Sequence, residues 1–225
     1  MPVSQKPPLS VIVGVLKVYR EGTVSFRMDY TGSRPLNESE YQAMLSAFRG
    51  KYALRDKALF EIGVRTGFRI SECLSIRISD IFQNGRMRDY VTVQKFWMKG
   101  KKKSRTLPLH SKCAVALQTW VTEAGFDVSA MPEQPLFCCQ LTRKRLSRSQ
   151  ACDILKETAR RAGLDVSRIS SHSLRKTFAT NMWKSPYVDR DMCKLARLLG
   201  HENYNNTLKY VLFLDGSLEK AVLLT

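Results

Sequence analysis

The chain lacks the features that would place it in several common protein classes. It has no run of about 18 apolar residues, the length a membrane-spanning helix needs. The apolar stretch at residues 9–19 (LSVIVGVLKVY) is too short to span and carries no small-residue cleavage pattern of a secretory signal. The six cysteines, Cys73, Cys113, Cys138, Cys139, Cys152 and Cys193, include no C-x-x-C pair, so zinc-finger spacing is absent. Each lies in or beside an apolar stretch, which reads as reduced core thiols in a cytosolic protein. No acidic cluster suited to a catalytic metal stands out, no cofactor motif is read, and there is no internal repeat or low-complexity tract. Acidic residues are few, 20 Asp and Glu against 37 Lys and Arg, for a net charge of +17 over 225 residues. An excess of that size favours a polyanionic partner, because each phosphate neutralised releases condensed counterions. Histidine is scarce too, with three in the whole chain.

The rest describes a folded body. An apolar fraction of 44% over this length supports one good-sized core, with room for a small appendage. Residues 9–30 read as strands, with a turn at residues 20–23, and residues 30–35 as a linker. Helical spacing then begins at Asn37, where Glu40 completes a variant of the capping box. A stronger helix is expected over 53–66, with Leu54, Ala58, Leu59 and Ile62 on its apolar face and Gly67 to stop it. A short helix from Ser71 leaves Arg69 at the junction of the two. Residues 88–97 and 104–109 pair as strands around the basic turn MKGKKKS. A helix over 111–124 should bury Val115, Leu117, Trp120 and Val121. Further helices are expected over 149–162, 171–183 and 190–199, then around Tyr210, then over 217–224. The connection 125–146 ends in TRKRLSRS, whose Arg143, Lys144 and Arg145 are candidates for contact with nucleic-acid backbone, as are Lys101, Lys102 and Lys103 of the basic turn. For both segments a solvated charged loop is the competing reading.

Three runs carry the chemistry: TGFRISE with Arg69, HSLR with His172 and Arg175, and LLGHENYNNTLKYV with His201 and Tyr210. A phosphodiester under attack gains negative charge, and fixed cationic donors stabilise that charge. Arginine suits the task because its planar fork donates two parallel hydrogen bonds to phosphate oxygens. Arg69 and Arg175 are placed to clamp the two non-bridging oxygens. His172, three residues before Arg175, falls on the same helix face, able to donate to phosphate or to accept a proton. Tyr210 is the candidate nucleophile. Only about one free phenol in a thousand is ionised at pH 7, and neighbouring guanidinium and imidazole groups favour the phenolate. Attack would give a phosphotyrosine bond that keeps its energy for rejoining, and a lysine of the hairpin turn, Lys99 or a neighbour, would protonate the departing oxygen. Each piece alone has a plainer reading: a helix stop, a cap, a Schellman terminus, a packed tyrosine. Their order and separations together favour the chemical one.

From about residue 37 to 215 the chain resembles the tyrosine recombinases, the group that contains phage integrases and the Xer-type chromosome-dimer resolvases. TGFRISE looks like the family's first box, implying a catalytic Arg69 with Glu72 as supporting carboxylate. HSLRKTFAT is similar to the H-x-x-R box, implying His172 and Arg175. LARLLGHENYNNTLKY looks like the final box, implying His201 and the nucleophile Tyr210. MKGKKKSRTLPL resembles the hairpin whose lysine is the general acid, implying Lys99, with Lys101 in competition because the turn is one residue longer than usual. The resemblance implies an α+β, mainly α fold: a tyrosine-recombinase catalytic domain at residues 37–225 with a small antiparallel β-sheet, preceded by a short β-rich N-terminal segment and linker at residues 1–36. It further implies site-specific recombination or integration through a 3′-phosphotyrosyl intermediate, without metal, ATP or cofactor, by a homotetramer on paired double-stranded DNA sites, with accessory DNA-bending proteins as possible partners and no membrane. The expected setting is the cytoplasm, nucleoid-associated, in a bacterial, phage or mobile-element context. The alternatives are a catalytically silent DNA-binding protein of the same fold, and a telomere-resolvase or type IB topoisomerase-like enzyme; a metal-dependent nuclease is disfavoured. The departure is at the N-terminus, where 68 residues before Arg69 leave no space for the family's usual helical clamp. The last helix is expected to dock on its own subunit or on a neighbour.

Overall fold

The computed structural model describes residues 32–95 and 104–214. The strands expected within residues 9–30, the turn bearing Lys99, Lys101, Lys102 and Lys103, and the helix expected at 217–224 lie outside them. The compact unit spans Ser33–Asp215. It opens with α1 (Glu38–Ala47), whose capping box is complete: Asn37 Oδ1 accepts from the Glu40 amide at 2.9 Å and Glu40 Oε2 accepts from the Asn37 amide at 3.0 Å. This satisfies two amides that the first helical turn would otherwise leave orphaned. Helix α2 (Ala53–Thr66) ends at Gly67, which takes the left-handed conformation at φ 58°. The short α3 (Ile70–Ser75) and α4 (Ile78–Ile81) follow.

Among the described residues, two antiparallel strand pairs supply the β content. The small one pairs β1 (Phe82–Gln83) with β2 (Arg86–Met87) across Asn84 and Gly85, both at positive φ. The second pairs β3 (Tyr90–Val93) with β4 (Arg105–Pro108) in the register Val91 to Leu107 and Val93 to Arg105. Burial alternates along both strands, so Val91, Val93, Leu107 and Arg105 face inward, while the Thr92 and Thr106 hydroxyls meet outside at 2.9 Å. The remaining helices are α5 (Ser111–Glu123), α6 (Arg148–Arg161), α7 (Ser171–Trp183), α8 (Met192–Leu199) and α9 (Tyr204–Leu214), with a 3-10 turn at Val166–Arg168.

Helix α2 is the central post. It packs against both α5 and α7 and is buried on most of its surface, Arg55 and Glu61 included. The main apolar cluster joins α2, α3, the second hairpin and α5 around Trp120, whose indole donates to the Leu136 carbonyl at 2.8 Å. A second cluster fills the space between α1, α2, α6 and α7. A third, of Phe178, Ala179, Trp183, Val188, Leu195 and Leu199, joins α7 to α8 and takes in the half-buried Tyr210 of α9.

Several expectations need correction. Val115 is exposed, because α5 buries Cys113, Leu117, Trp120 and Val121 and residue 115 falls off that stripe. Leu54 is also exposed, in the first turn of α2. Helix α8 starts at Met192, not Arg190, because Asp191 caps it by accepting from the Cys193 and Lys194 amides. Cys193 is exposed rather than a core thiol, whereas Cys73, Cys113 and Cys138 are buried.

Candidate active site

Arg69 is presented by the shortest of links between two helices. The Thr66 hydroxyl donates to the Ile62 carbonyl at 2.6 Å and accepts from the Phe68 amide at 3.2 Å. Gly67 turns the chain in a conformation that costs an L-residue strain, and a Cβ there would stand 2.4 Å from Phe178 Cδ1. The next residue but one is Arg69, extended at the start of α3. Glu72, one turn into α3 and buried, accepts from the Arg69 amide at 2.9 Å through Oε2 and from Arg69 Nη1 at 2.8 Å through Oε1. The rest of the Arg69 guanidinium is open, its side chain being 41% exposed.

Arg175 comes from the first turns of α7, whose N-terminus is capped by Ser170 and points positive dipole in the same direction. It is buried. Nη1 donates to the Gly67 carbonyl at 2.5 Å, and Nη2 to the Leu199 carbonyl at 2.7 Å and to His201 Nε2 at 2.8 Å. Thus one guanidinium staples the turn that carries Arg69 to the end of α8. That end is a Schellman terminus, with the Gly200 amide on the Arg197 carbonyl and the His201 amide on the Ala196 carbonyl. The helix-stop reading of LLGH and the chemical reading are both true, since the cap is what aims His201. Guanidinium cannot accept, so Nε2 of His201 does; the ring proton is on Nδ1, which donates to Thr207 Oγ1 at 2.8 Å.

A third guanidinium belongs here and was not anticipated. Arg105 of β4 is buried, donates from Nη2 to the Thr66 carbonyl at 2.7 Å and from Nη1 to the Leu199 carbonyl at 3.2 Å, and lies 3.6 Å from Glu72 Oε2. Its guanidinium stacks over Phe68 at 4.6 Å, and Gly200 leaves room for its stem, where a Cβ would meet Arg105 Cδ at 3.0 Å. The available signal was its place on the inward phase of an alternating strand, where an arginine is unexpected.

One carboxylate therefore serves three guanidinium groups. The surplus positive charge shows in their ionisation. Burial first, then Arg175, pushes Arg105 down to about 9, so it stays charged at neutral pH. Burial and then Arg69 lower Arg175, partly offset by Tyr210 and Glu72. His172 is lowered as well, by loss of hydration first and then by the charges of Lys176, Arg175, Arg69 and Arg148. Such a site is prepared for an anion.

Tyr210 completes the group from the same chain. It lies near enough to the Arg175 guanidinium to act on its ionisation, and its ring lies 5.6 Å, centroid to centroid, from that of His201. Arg69, Glu72, His172, Arg175, His201 and Tyr210 are thus brought to one place. Among the backbone-contact candidates, Lys144 is exposed. Arg143 is half-buried and stacks over Phe126 at 4.7 Å, and Arg145 is half-buried and lowered in pKa by burial and then by Arg77; both are partly committed to packing the 125–146 connection.

The arginine cluster and the tyrosine sit in a mainly helical body with one inward-facing hairpin, and solved structures share that fold. The XerH site-specific recombinase bound to palindromic difH substrate superposes with a TM-score of 0.67 at 24% identity, over 86% of this chain and 53% of that one. The catalytic domain of bacteriophage HP1 integrase does so with a TM-score of 0.51 at 21% identity, over 84% and 94%. The chain belongs to the phage integrase family, whose model matches residues 34–214. Relatives include the probable integrase/recombinase YoeC of Bacillus subtilis, 33% identical over 70% of this chain and 77% of YoeC. Tyrosine recombinase XerC of Herpetosiphon aurantiacus is 31% identical over 72% of this chain and 49% of XerC. The chain spans about half the length of that XerC and of a Corynebacterium glutamicum XerD, of which 51% is covered.

Proposed function

We propose that this chain is a site-specific DNA recombinase that cleaves and rejoins strands through a 3′-phosphotyrosyl intermediate on Tyr210. The observation that carries the reading is the placing of the Tyr210 side chain beside Arg175 and His201 within one chain. In the step, Tyr210 Oη bonds to phosphorus as the bond from phosphorus to the 5′ oxygen breaks. Arg69 and Arg175 hold the non-bridging oxygens, replacing with fixed cations the charge that a nuclease takes from metal ions. His172 is the candidate acceptor of the phenolic proton, its ring held toward the neutral form by loss of hydration and by the surrounding cations, since both ring nitrogens of His201 are already engaged, and Lys99 or Lys101 returns a proton to the 5′ oxygen. The phosphotyrosine bond conserves the energy of the broken one, so rejoining needs no ATP. Support for DNA as the polyanion comes from the charge of +17 and from relatives named recombinases. The structural neighbours include XerH bound to difH substrate and a transposon Tn1549 integrase in complex with transposon right end DNA. Paired sites and a homotetramer belong to the same proposal.

The test is covalent capture. The chain is incubated with nicked suicide duplexes carrying a site recovered by selection from randomised DNA, and adduct is read on a denaturing gel. Wild type is expected to form adduct and Tyr210→Phe none; equal adduct from both removes Tyr210 from its role. DNA binding without adduct in wild type establishes the catalytically silent reading instead. Arg69→Ala is expected to cut the rate far more than the affinity, which dispersed backbone contacts dominate. It is the cleaner arginine variant, because Glu72 keeps the residue-69 amide and Arg105 as partners when the Arg69 side chain is removed. Arg175→Ala also takes the side-chain donor from the Gly67 carbonyl and breaks the link from that turn to the end of α8.

A further inference from the structure

Thr207 is an anomaly in its helix. Residues 202–206 and 208 are exposed, yet Thr207 is fully buried. What it buries against is the His201 ring, whose Nδ1 donates to its hydroxyl at 2.8 Å. On the far side of that ring Nε2 accepts from Arg175 at 2.8 Å. One turn further along α9, on the same face, is Tyr210.

These contacts constrain one another. If the His201 proton sat on Nε2, it would point at an arginine N–H 2.8 Å away, donor against donor. With the proton on Nδ1 the conflict vanishes, provided something accepts it, and the acceptor in place is Thr207. The hydroxyl also fixes the azimuth of α9, since it can reach the imidazole only when this face of the helix turns toward Arg175. We propose that Thr207 is a positioning residue for the tyrosine step: it holds His201 in the Nδ1–H tautomer, with Nε2 accepting from Arg175, and by the same bond seats the helix that carries Tyr210 beside Arg175 in its own subunit. This deepens, and for its kinetic arm rests on, the strand-cleavage reading above.

The test uses the full chain with 15N-labelled histidine, of which there are three residues to assign. Wild type and Thr207→Ser are expected to show His201 protonated at Nδ1. Thr207→Val, equal in shape but without an acceptor, is expected to show loss of that single tautomer. Adduct formation should fall about tenfold to a hundredfold in Thr207→Val, the usual scale for removing a partner that orients an active-site imidazole. Thr207→Ser should stay within about threefold of wild type, and DNA affinity should change little in either. A wild-type His201 protonated at Nε2 overturns the proposal, as does a Thr207→Val chain with unchanged tautomer and rate. Should Thr207→Val fail to fold, the wild-type and Thr207→Ser spectra still decide, an Nε2 proton in either being fatal. The spectral arm needs no cleavage, so a wild type that shows the Nδ1 tautomer but forms no adduct sinks the recombinase reading and sustains the positioning role.

Discussion

At the scale of single residues, the pocket is governed by a shortage of negative charge. Arg69 and Arg105 pair with Glu72, which also acts on Arg175, and the exposed His172 feels the charges of Lys176, Arg175, Arg69 and Arg148. A protonated imidazole there would add one more cation to an uncompensated group. His172 is therefore expected to titrate below the ordinary histidine value in the DNA-free chain and to be neutral at pH 7, free to accept a proton. The linkage follows in sign. A base whose folded pKa is depressed contributes its stability fully above the unfolded value, near 6.5, and loses it as pH falls toward the folded value. A phosphodiester in the pocket offsets the cations and should move the His172 titration upward. NMR titration of the imidazole, free and DNA-bound, measures both, and Lys176→Gln should raise the free value. A free-state titration at or above the ordinary value would mean that those cations do not act on the ring.

Elements are joined here by glycine turns that carry the site with them. Gly67 ends α2 and begins the two-residue link to Arg69, and both its φ of 58° and the Phe178 ring 2.4 Å from a notional Cβ forbid a side chain. Gly67→Ala is expected to cost about 1–3 kcal/mol by overpacking, with a further contribution from αL strain, and to displace Arg69 as α2 and α7 part. Thermal melting reads the first effect and adduct yield the second; a variant with native melting and native yield would show that the turn is not under constraint. This link was legible in sequence because its signal is local, a glycine after a helical run, just as Asn37 with Glu40 at capping spacing marked the start of α1. What escaped was either too short or too distant. Helix α4 has four residues and each strand of the first hairpin two, below the length at which periodicity speaks, although Asn84-Gly85 is a turn signal that local chemistry provides. Arg105 escaped because its partners lie 39 and 94 residues away. Strand alternation marks its inward phase, but only the fold brings Thr66, Glu72 and Leu199 to the inner face of β4.

For the whole molecule, the question is where the catalytic body starts. The family match begins at residue 34, and the segment before α1 is bonded into the body rather than trailing from it. The Arg34 amide donates to the Arg168 carbonyl at 2.9 Å and its guanidinium pairs with Glu40. The Leu36 amide donates to the Thr177 hydroxyl at 2.8 Å, and its side chain enters the second apolar cluster with Met44, Phe60 and Leu174. Lys176, on the helix that carries His172 and Arg175, donates to the Ser33 carbonyl. A chain started at Ser33 should keep all of this. One started at Asn37 loses burial of one leucine, about 1.5–3 kcal/mol, and the three hydrogen bonds of the Arg34 and Leu36 amides and the Ser33 carbonyl at about 0.5–1.5 kcal/mol each. For a domain of this size that amounts to a drop in Tm of roughly 6–30 °C. Because α7 is the helix uncovered, the shorter chain should also lose adduct yield at temperatures where it remains folded, whereas the longer one should match its own full-length melting transition. Equal melting of the two truncations would show that residues 33–36 are dispensable and that the body is complete from Asn37 onward.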